Sequence, residues 1–520
     1  MAEDCNSWVV PVTLSPPSLQ DNTADADRLA KALKTRLAVD PFDLHIDLET
    51  LHRIPELLRK SNYSVRCTLA RDRSRWFLTG IHGGAEEGVS VGLAVDLGTT
   101  KVVLRAIDLS TGRVFGEKVF DNPQIDVGAD ILTRVHYAGE GSGLQDLHRQ
   151  IIEAVNWHAE DLCRGCGLTP EQVLLMAVAG NTTMTHLFLG LTPYWIIREP
   201  YIPVVNRPGL LRARDLGIRA ASAARVFVFP NIGSYFGGDV IAGILSSGLH
   251  EMEQTAVLVD VGTNAEVVLG NRQWLIACAG AAGPALEGGV TQMGTTAGPG
   301  VIDRVRIDSE TRRFDIHTID DGSPCGICGS GLIDLAAEML TAGMIDIRGR
   351  FLADSCPGRF VQRDGAQHLV LLPPAETADG PAITISQADF DSLIRSKAAM
   401  YTILETIAGS VGINLQEIDR YFVAGTFGAF IRPDSAITIG MLPDLPRERF
   451  QVLGNSSLEG ATKVLTSPGS LEVIDHIRDR ITYLELNVNQ DFMLRFSAAK
   501  FLPHTDLGRF PSVAARLPPR

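Results

Sequence analysis

VGLAVDLGTTKVVL, Val91 to Leu104, is an apolar run that ends in Asp96, then a Gly98-Thr99-Thr100 corner, then a second β-branched run. The pattern is that of a strand, a tight turn and a returning strand. Gly98 supplies backbone freedom at the corner. The amides and hydroxyls of Thr99 and Thr100, with Lys101 alongside, can surround an anionic group. Asp96, at the mouth of the hairpin, is placed to hold a hydrated divalent cation, a hard ion that prefers oxygen ligands. The plain alternative is a buried hairpin whose turn Asp96 caps.

A second copy favours the ligand reading. Thr255 to Leu269 reads TAVLVDVGTNAEVVL, so Asp260, Gly262, Thr263 and Asn264 repeat Asp96, Gly98, Thr99 and Thr100. Each copy runs on through a further turn into another strand: Ser110-Thr111-Gly112 before RVFGEKVF, and Gly270-Asn271 before RQWLIACA. Two such meanders about one domain apart predict duplicated lobes. A polyphosphate clamped between the two hairpins explains both copies with one ligand.

At 520 residues the chain is long enough for two to four domains with ample core. A hydrophobic share of 45% and a charged share of 21% are ordinary for a water-soluble globular protein. A net charge of −14 with no basic stripe argues against a nucleic-acid partner. Apolar runs such as Val173–Ala179 are too short to span a bilayer. Residues 1–20 lack the basic start and apolar centre of a secretion signal. Eight cysteines at this length are no disulfide framework, so a reducing cytoplasm is expected.

Three segments are expected: a small α+β module over 1–88, a first lobe over 89–252 and a second over 253–520. In the first, Asp21 to Asp27 is expected to cap the helix that follows. Asp130 and Arg134 are four apart and can pair along a helix face, a reading at least as good as a ligand role. Val173–Ala179 is a buried strand running into Gly180-Asn181-Thr182-Thr183, either a ligand corner or a plain helix cap. Gly237-Gly238-Asp239 at a helix start brings a carboxylate near a phosphate, or caps the helix.

In the second lobe, residues 279–300 are rich in glycine, with Glu287 their single charge. Gly329 and Ser330 open a helix whose free amides and dipole suit an anion. Ser386 caps a long helix with acidic residues in its first turn. After the strand Tyr421–Ala424, Gly425, Thr426, Phe427 and Gly428 suit a planar base lying against backbone, or form a buried Phe turn. Two CxxC pairs, Cys163/Cys166 and Cys325/Cys328, have metal-ligand spacing, but nothing in the sequence places them together. The Walker pattern is absent, which disfavours a P-loop.

Taken together, Asp96-Leu-Gly-Thr-Thr, Asp260-Val-Gly-Thr-Asn and Ala424-Gly-Thr-Phe-Gly resemble the two phosphate motifs and the adenosine motif of the actin, hexokinase and heat-shock chaperone ATPases. More closely, the chain resembles the ATP-dependent reductive activators of corrinoid proteins. The likeness rests on NPQ at 122–124, GADILTR at 128–134, GNTTMTHLFLG at 180–190 and GGDVIAG at 237–243. It continues in GICGSGLID at 326–334, AGTFGAF at 424–430 and GNSSLEGA at 454–461, and LSPPSLQDNTADADRL is similar to the family's linker segment.

The resemblance implies an α/β fold of two ribonuclease-H-like lobes and an ATPase that drives an electron onto an inactive cob(II)alamin, restoring cob(I) in a corrinoid methyl carrier. By position, Thr99, Thr100, Thr263 and Asn264 contact phosphates. Asp96 and Asp260 organise Mg2+ through water together with the attacking water. Gly425 to Gly428 face the adenosine, and Asp239 belongs to the catalytic surroundings. Many members carry a ferredoxin-like domain with four cluster cysteines. Here Cys5 and Cys67 are the cysteines before Asp96, and no such group follows Cys356. No iron–sulfur cluster is therefore expected in this chain, and the electrons are expected from a separate ferredoxin-like donor. A homodimer is one assembly open to it. Alternatives from other classes are a small-metabolite kinase with Asp239 or Glu287 as base, a non-catalytic ATP-gated binding protein, and a cluster-carrying dehydratase activator.

Overall fold

The computed structural model describes residues 7–84, 88–234, 236–262, 265–280, 293–295, 297–363, 365–377, 380–425, 432–486 and 490–518. In chain order its elements begin with β1 (Val9–Thr13), α1 (Asp25–Leu37), β2 (Asp43–Ile46), α2 (Leu48–Lys60), β3 (Ser64–Asp72) and β4 (Arg75–Gly83). Next come β5 (Val91–Leu97), β6 (Lys101–Asp108), β7 (Val114–Asp121), α3 (Ile131–Ala138), α4 (Gly143–Gly165), β8 (Val173–Gly180), α5 (Thr182–Phe188), β9 (Gly209–Arg212), β10 (Arg225–Val228) and α6 (Gly238–Ser247). The chain continues through β11 (Ala256–Val261), β12 (Ala265–Gly270), β13 (Leu275–Gly280), β14 (Val301–Ile307), β15 (Phe314–Thr318), β16 (Gly326–Ile327) and α7 (Gly329–Thr341). Then follow β17 (Phe360–Arg363), β18 (Ala366–Leu372), β19 (Ile383–Ser386), α8 (Gln387–Ser410), β20 (Arg420–Ala424), α9 (Pro433–Thr438) and β21 (Phe450–Gly454). The last elements are α10 (Ser456–Thr466), α11 (Ser470–Arg480), β22 (Ile481–Tyr483), α12 (Gln490–Ala499) and α13 (Pro511–Ala514).

The fold divides into two compact units, and the division is not contiguous. Met1–Ser246 with Ser456–Asp479 form one; Ser247–Asn455 with Arg480–Arg520 form the other. The stretch 456–479 thus leaves the second segment expected from sequence and joins the first unit.

The first unit is built on a six-stranded sheet of order β7-β6-β5-β8-β10-β9. β5, β6 and β7 form an antiparallel meander, because short polar turns link three β-branched runs; β8 then pairs parallel with β5. β8 is buried along its whole length, as its unbroken run VLLMAVAG requires. α4 covers one face with Leu147, Ile151, Val155, Ala159 and Leu162, whose spacing of three and four makes a single apolar stripe. The N-terminal module adds a four-stranded sheet, β1-β3-β4-β2, with its own core around Leu29, Leu33, Ile54 and Leu58. A buried ion cluster fixes this module to the edge of the larger sheet. Asp47 accepts hydrogen bonds from Arg225, at 3.2 Å, and Arg212, at 3.0 Å, and Arg225 is only 2% exposed. Burial alone raises the Asp47 pKa, but Arg225, His45 and Arg212 hold it below the usual carboxylate value. The Asp21–Asp27 run does not cap α1 as expected. Ala24 occupies the cap position, and Asp21 instead accepts from Arg28 at 2.5 Å.

The second unit repeats the plan. Its sheet runs β21-β20-β11-β12-β13-β22, with β11, β12 and β13 an antiparallel meander and β20 parallel to β11. Two three-stranded sheets, β15-β14-β16 and β17-β18-β19, are added to it. α8 is buried almost all round, and Ser386 caps it in a reciprocal box with Asp389, as expected. The C-terminal segment is docked through the buried Lys397, whose Nζ donates to the carbonyls of Phe501 and Pro503, each at 2.6 Å. Among the described residues no helix is long and apolar enough to cross a membrane.

Candidate functional site

The two meanders place their aspartates at the same point of their sheets. Asp96 lies opposite Ala179 of β8, and Asp260 lies opposite Ala424 of β20. Each neighbouring strand then enters a glycine corner, Gly180-Asn181 in one unit and Gly425 in the other. The repeat read from two short motifs is therefore a repeat of topology and register.

In the first unit, Gly98 forms the turn. A Cβ there would lie 2.3 Å from the Lys101 carbonyl oxygen, so the corner closes only around glycine. Four side chains hold it. Asn122 donates through Nδ2 to the Gly98 carbonyl at 2.9 Å, and its backbone amide donates to Thr100. Asn181 caps α5 through Oδ1 and donates through Nδ2 to Thr99 Oγ1 at 3.0 Å, so the cap and ligand-corner readings describe one residue. Arg134 donates to the Thr99 carbonyl at 2.8 Å. Ser457, at the start of α10, donates to Asp96 Oδ1 at 2.7 Å. Lys101 reaches Asp121 at 3.0 Å.

The expected Asp130–Arg134 pairing is replaced. Asp130 caps α3, accepting from the amide and hydroxyl of Thr133. Arg134 turns inward and is fully buried. An i, i+4 spacing allows a pair; it does not outweigh two local hydrogen bonds at a helix start.

Asp239 lies in the first turn of α6 and accepts from the Val240 amide at 2.9 Å. Gly237 lets that turn approach the β8 corner. A Cβ there would stand 2.4 Å from Asn181 Cα and 2.6 Å from Asp239 Oδ1. Burial first, and the Asp96 charge second, push the Asp239 carboxyl up to about 7. Asp96, Asp239, Ser457 and Thr99 thus gather hard oxygen donors beside a glycine corner, the chemistry that suits Mg2+ and phosphate oxygens. Among the described residues no group of three or more His, Cys, Asp or Glu is arranged to hold a metal unaided.

In the second unit, Gly425 (φ +93°) abuts Asp260. A Cβ there would lie 2.6 Å from Asp260 Oδ1 and 2.6 Å from the Val261 carbonyl oxygen. The first glycine of the expected base-binding corner is thus set against the second acidic hairpin, and Gly262 follows in that hairpin. Gly329 and Ser330 lie buried at the start of α7, where the Ser330 hydroxyl meets Cys328 Sγ at 3.1 Å. Thr263, Asn264, Glu287, Thr426, Phe427 and Gly428 lie outside the described residues. The CxxC pairs fall in different units. Cys163 is buried at the end of α4, and burial foremost pushes its thiol up to about 11.

Ser457, Asn122 and Arg134 stand inside the motifs GNSSLEGA, NPQ and GADILTR, but the sequence gives none of them its contact with the Asp96 hairpin. Those motifs were the available signal.

Comparison with known proteins agrees with this geometry. Residues 4–88, 91–252 and 254–514 match family profiles described as the RACo linker region, the RACo middle region, and the C-terminal domain of RACo, the ASKHA domain. A solved reductive activator for a corrinoid, iron–sulfur protein superimposes with a TM-score of 0.89 at 36% identity, over 99% of this chain and 82% of that one. The corrinoid activation enzyme RamQ of Eubacterium limosum is 28% identical over 86% of this chain and 78% of its own length. The [Co(II) methylated amine-specific corrinoid protein] reductase of Methanosarcina barkeri is 24% identical, over 75% and 73%. The actin-like ATPase fold expected from the motifs is thereby established.

Proposed function

Because this chain belongs to the RACo family of corrinoid reductive activators, we propose that it is a cytoplasmic ATPase that returns a Co(II) corrinoid carrier protein to the Co(I) state. The electrons come from a separate ferredoxin-like donor. The observation that carries the ATPase part is the shared register of Asp96 and Asp260, each at the end of a central strand, beside a glycine corner.

Mg2+ supplies charge neutralisation at the phosphates when bound. Asp96 and Asp260 would hold its hydration shell, with Ser457 fixing the orientation of Asp96. Thr99 and Thr100 offer amides and hydroxyls to phosphate oxygens, an arrangement in which positioning and electrostatics do most of the catalytic work. Thr263 and Asn264 are the corresponding phosphate contacts expected of the second hairpin, with Gly329 and Ser330 as a further amide source. Gly425 to Gly428 take the adenosine. Asp239, with its raised pKa, exchanges a proton near neutrality and serves as the site's proton acceptor. The names of the relatives support a corrinoid protein as partner.

The test is anaerobic ultraviolet–visible spectroscopy of candidate corrinoid proteins mixed with this chain and an external low-potential reductant, with and without ATP. Cob(I) formation that depends on ATP is the expected result. Reduction indifferent to ATP with every candidate would refute the proposal. Asp260→Ala is expected to abolish ATP turnover while circular dichroism stays unchanged.

A further inference from the structure

Arg134 is an isolated cation in the interior. It is 0% exposed, yet among the described residues no carboxylate lies within 4.0 Å of it. Its partners are neutral. Nε donates to the Gly128 carbonyl at 2.8 Å, Nη1 to Gln124 Oε1 at 3.3 Å and to Met184 Sδ at 3.4 Å, and Nη2 to the Thr99 carbonyl at 2.8 Å. Burial lowers its pKa to about 10, and Asp130 only partly offsets that.

A buried charge is retained at a cost unless a counter-charge meets it. Replacing Arg134 by an apolar residue would remove that cost, yet its three hydrogen bonds to oxygen converge from the 122–128 turn and the Thr99 corner. Gln124, which meets Nη1, is itself buried and donates to the Leu147 carbonyl at 2.9 Å, so the guanidinium is held in place rather than merely accommodated.

We infer that Arg134 is a positioning residue whose missing counter-charge is the nucleotide's phosphate chain, felt through the Thr99 peptide that it polarises. Donation to a carbonyl makes the amide on the other side of the same peptide, that of Thr100, a stronger donor. The guanidinium thereby strengthens one of the corner's hydrogen bonds to phosphate and adds a permanent positive field behind it. The inference rests on the nucleotide reading above.

The experiment measures Mg-ATP, Mg-ADP and adenosine binding by calorimetry to the full chain and to Arg134→Lys and Arg134→Gln. The Gln variant is expected to lose about tenfold in Mg-ATP affinity, less in Mg-ADP affinity, and none for adenosine. The Lys variant, which keeps the charge, recovers most of the loss. A loss equal for all three ligands, or unrelieved by Lys, overturns the inference and leaves a packing role. If Arg134→Gln fails to fold, the Lys variant decides: Mg-ATP and adenosine affinities both close to wild type support the charge, and an equal loss for both refutes it. A wild-type chain that binds none of the three overturns the nucleotide reading itself.

Discussion

Asp239 occupies a place where a carboxylate is hard to keep ionised. Its pKa rises from 3.8 to about 7, so between these values the folded chain keeps a proton that the unfolded chain has released. The stability this group contributes is therefore fully present below the lower value and lost as pH rises through the higher one. Asp239→Asn removes that dependence. It should leave thermal stability little changed near about pH 4 and raise it on the order of 1–3 kcal/mol near about pH 8, while ATP turnover falls to background. Thermal scans at both pH values beside a phosphate-release assay check both halves; a variant destabilised at the higher pH would show that the charge is welcome there. Ser457 acts on the other carboxylate. Ser457→Ala frees Asp96 Oδ1 from its 2.7 Å bond and should raise the Mg2+ concentration for half-maximal turnover about fivefold, with Ser457→Thr recovering it. At this scale the sequence was legible for residues at strand ends, where Asp96 and Asp260 repeat visibly. It was not legible for Arg134, since a helical spacing reports which side chains can meet, not which face of the helix is buried.

Elements were read better than their partners. The meanders, β8 and α8 follow from runs of apolar residues bounded by turn residues, and the structure has them where expected. What no local pattern carries is the pairing of distant pieces. α10 packs on β5 and β8, and Gly460 lets it approach the α6 backbone, where a Cβ would come within 2.2 Å of the Ala242 carbonyl oxygen. Hydrogen bonds from Trp8 Nε1 to the Val464 carbonyl, from Arg105 to Glu459 and from Arg207 to Asp475 hold residues 456–479 in the first unit as well, and none of these pairings is written in a local pattern. The N-terminal module shows the same limit. Asp47 looks like an unremarkable helix-start residue, yet it is the counter-charge of the buried Arg225. Asp47→Asn should cost about 3 kcal/mol, because Arg225 and Arg212 lose their anion while remaining where they are. Urea unfolding followed by tryptophan fluorescence measures it. Because the folded pKa of Asp47 is depressed, its contribution is present above the unfolded value and should be lost as pH falls through the carboxylate range. A wild-type chain equally stable on both sides of that range would assign the anchoring to apolar contact instead.

For the whole molecule, the question is whether both acidic hairpins serve one ligand. Each unit has its own core, one centred on Val95, Leu104 and Ile151 and the other on Val259, Leu332 and Ile403. Each can therefore keep its fold when the other's hairpin is altered, which makes single substitutions interpretable. A ligand that binds only the native state stabilises it by about 2.7 kcal/mol at a hundred times its dissociation constant. Wild-type chain with Mg-ATP in that excess should show such a stabilisation. If one nucleotide needs both aspartates, Asp96→Ala and Asp260→Ala should each abolish most of it, and the double variant should lose scarcely more than either single one. Two independent nucleotide sites would instead give each single variant part of the stabilisation, with the two losses adding in the double variant. Scanning calorimetry of the four proteins, with and without Mg-ATP, separates these outcomes, since non-additive loss is the signature of groups that act on a shared ligand.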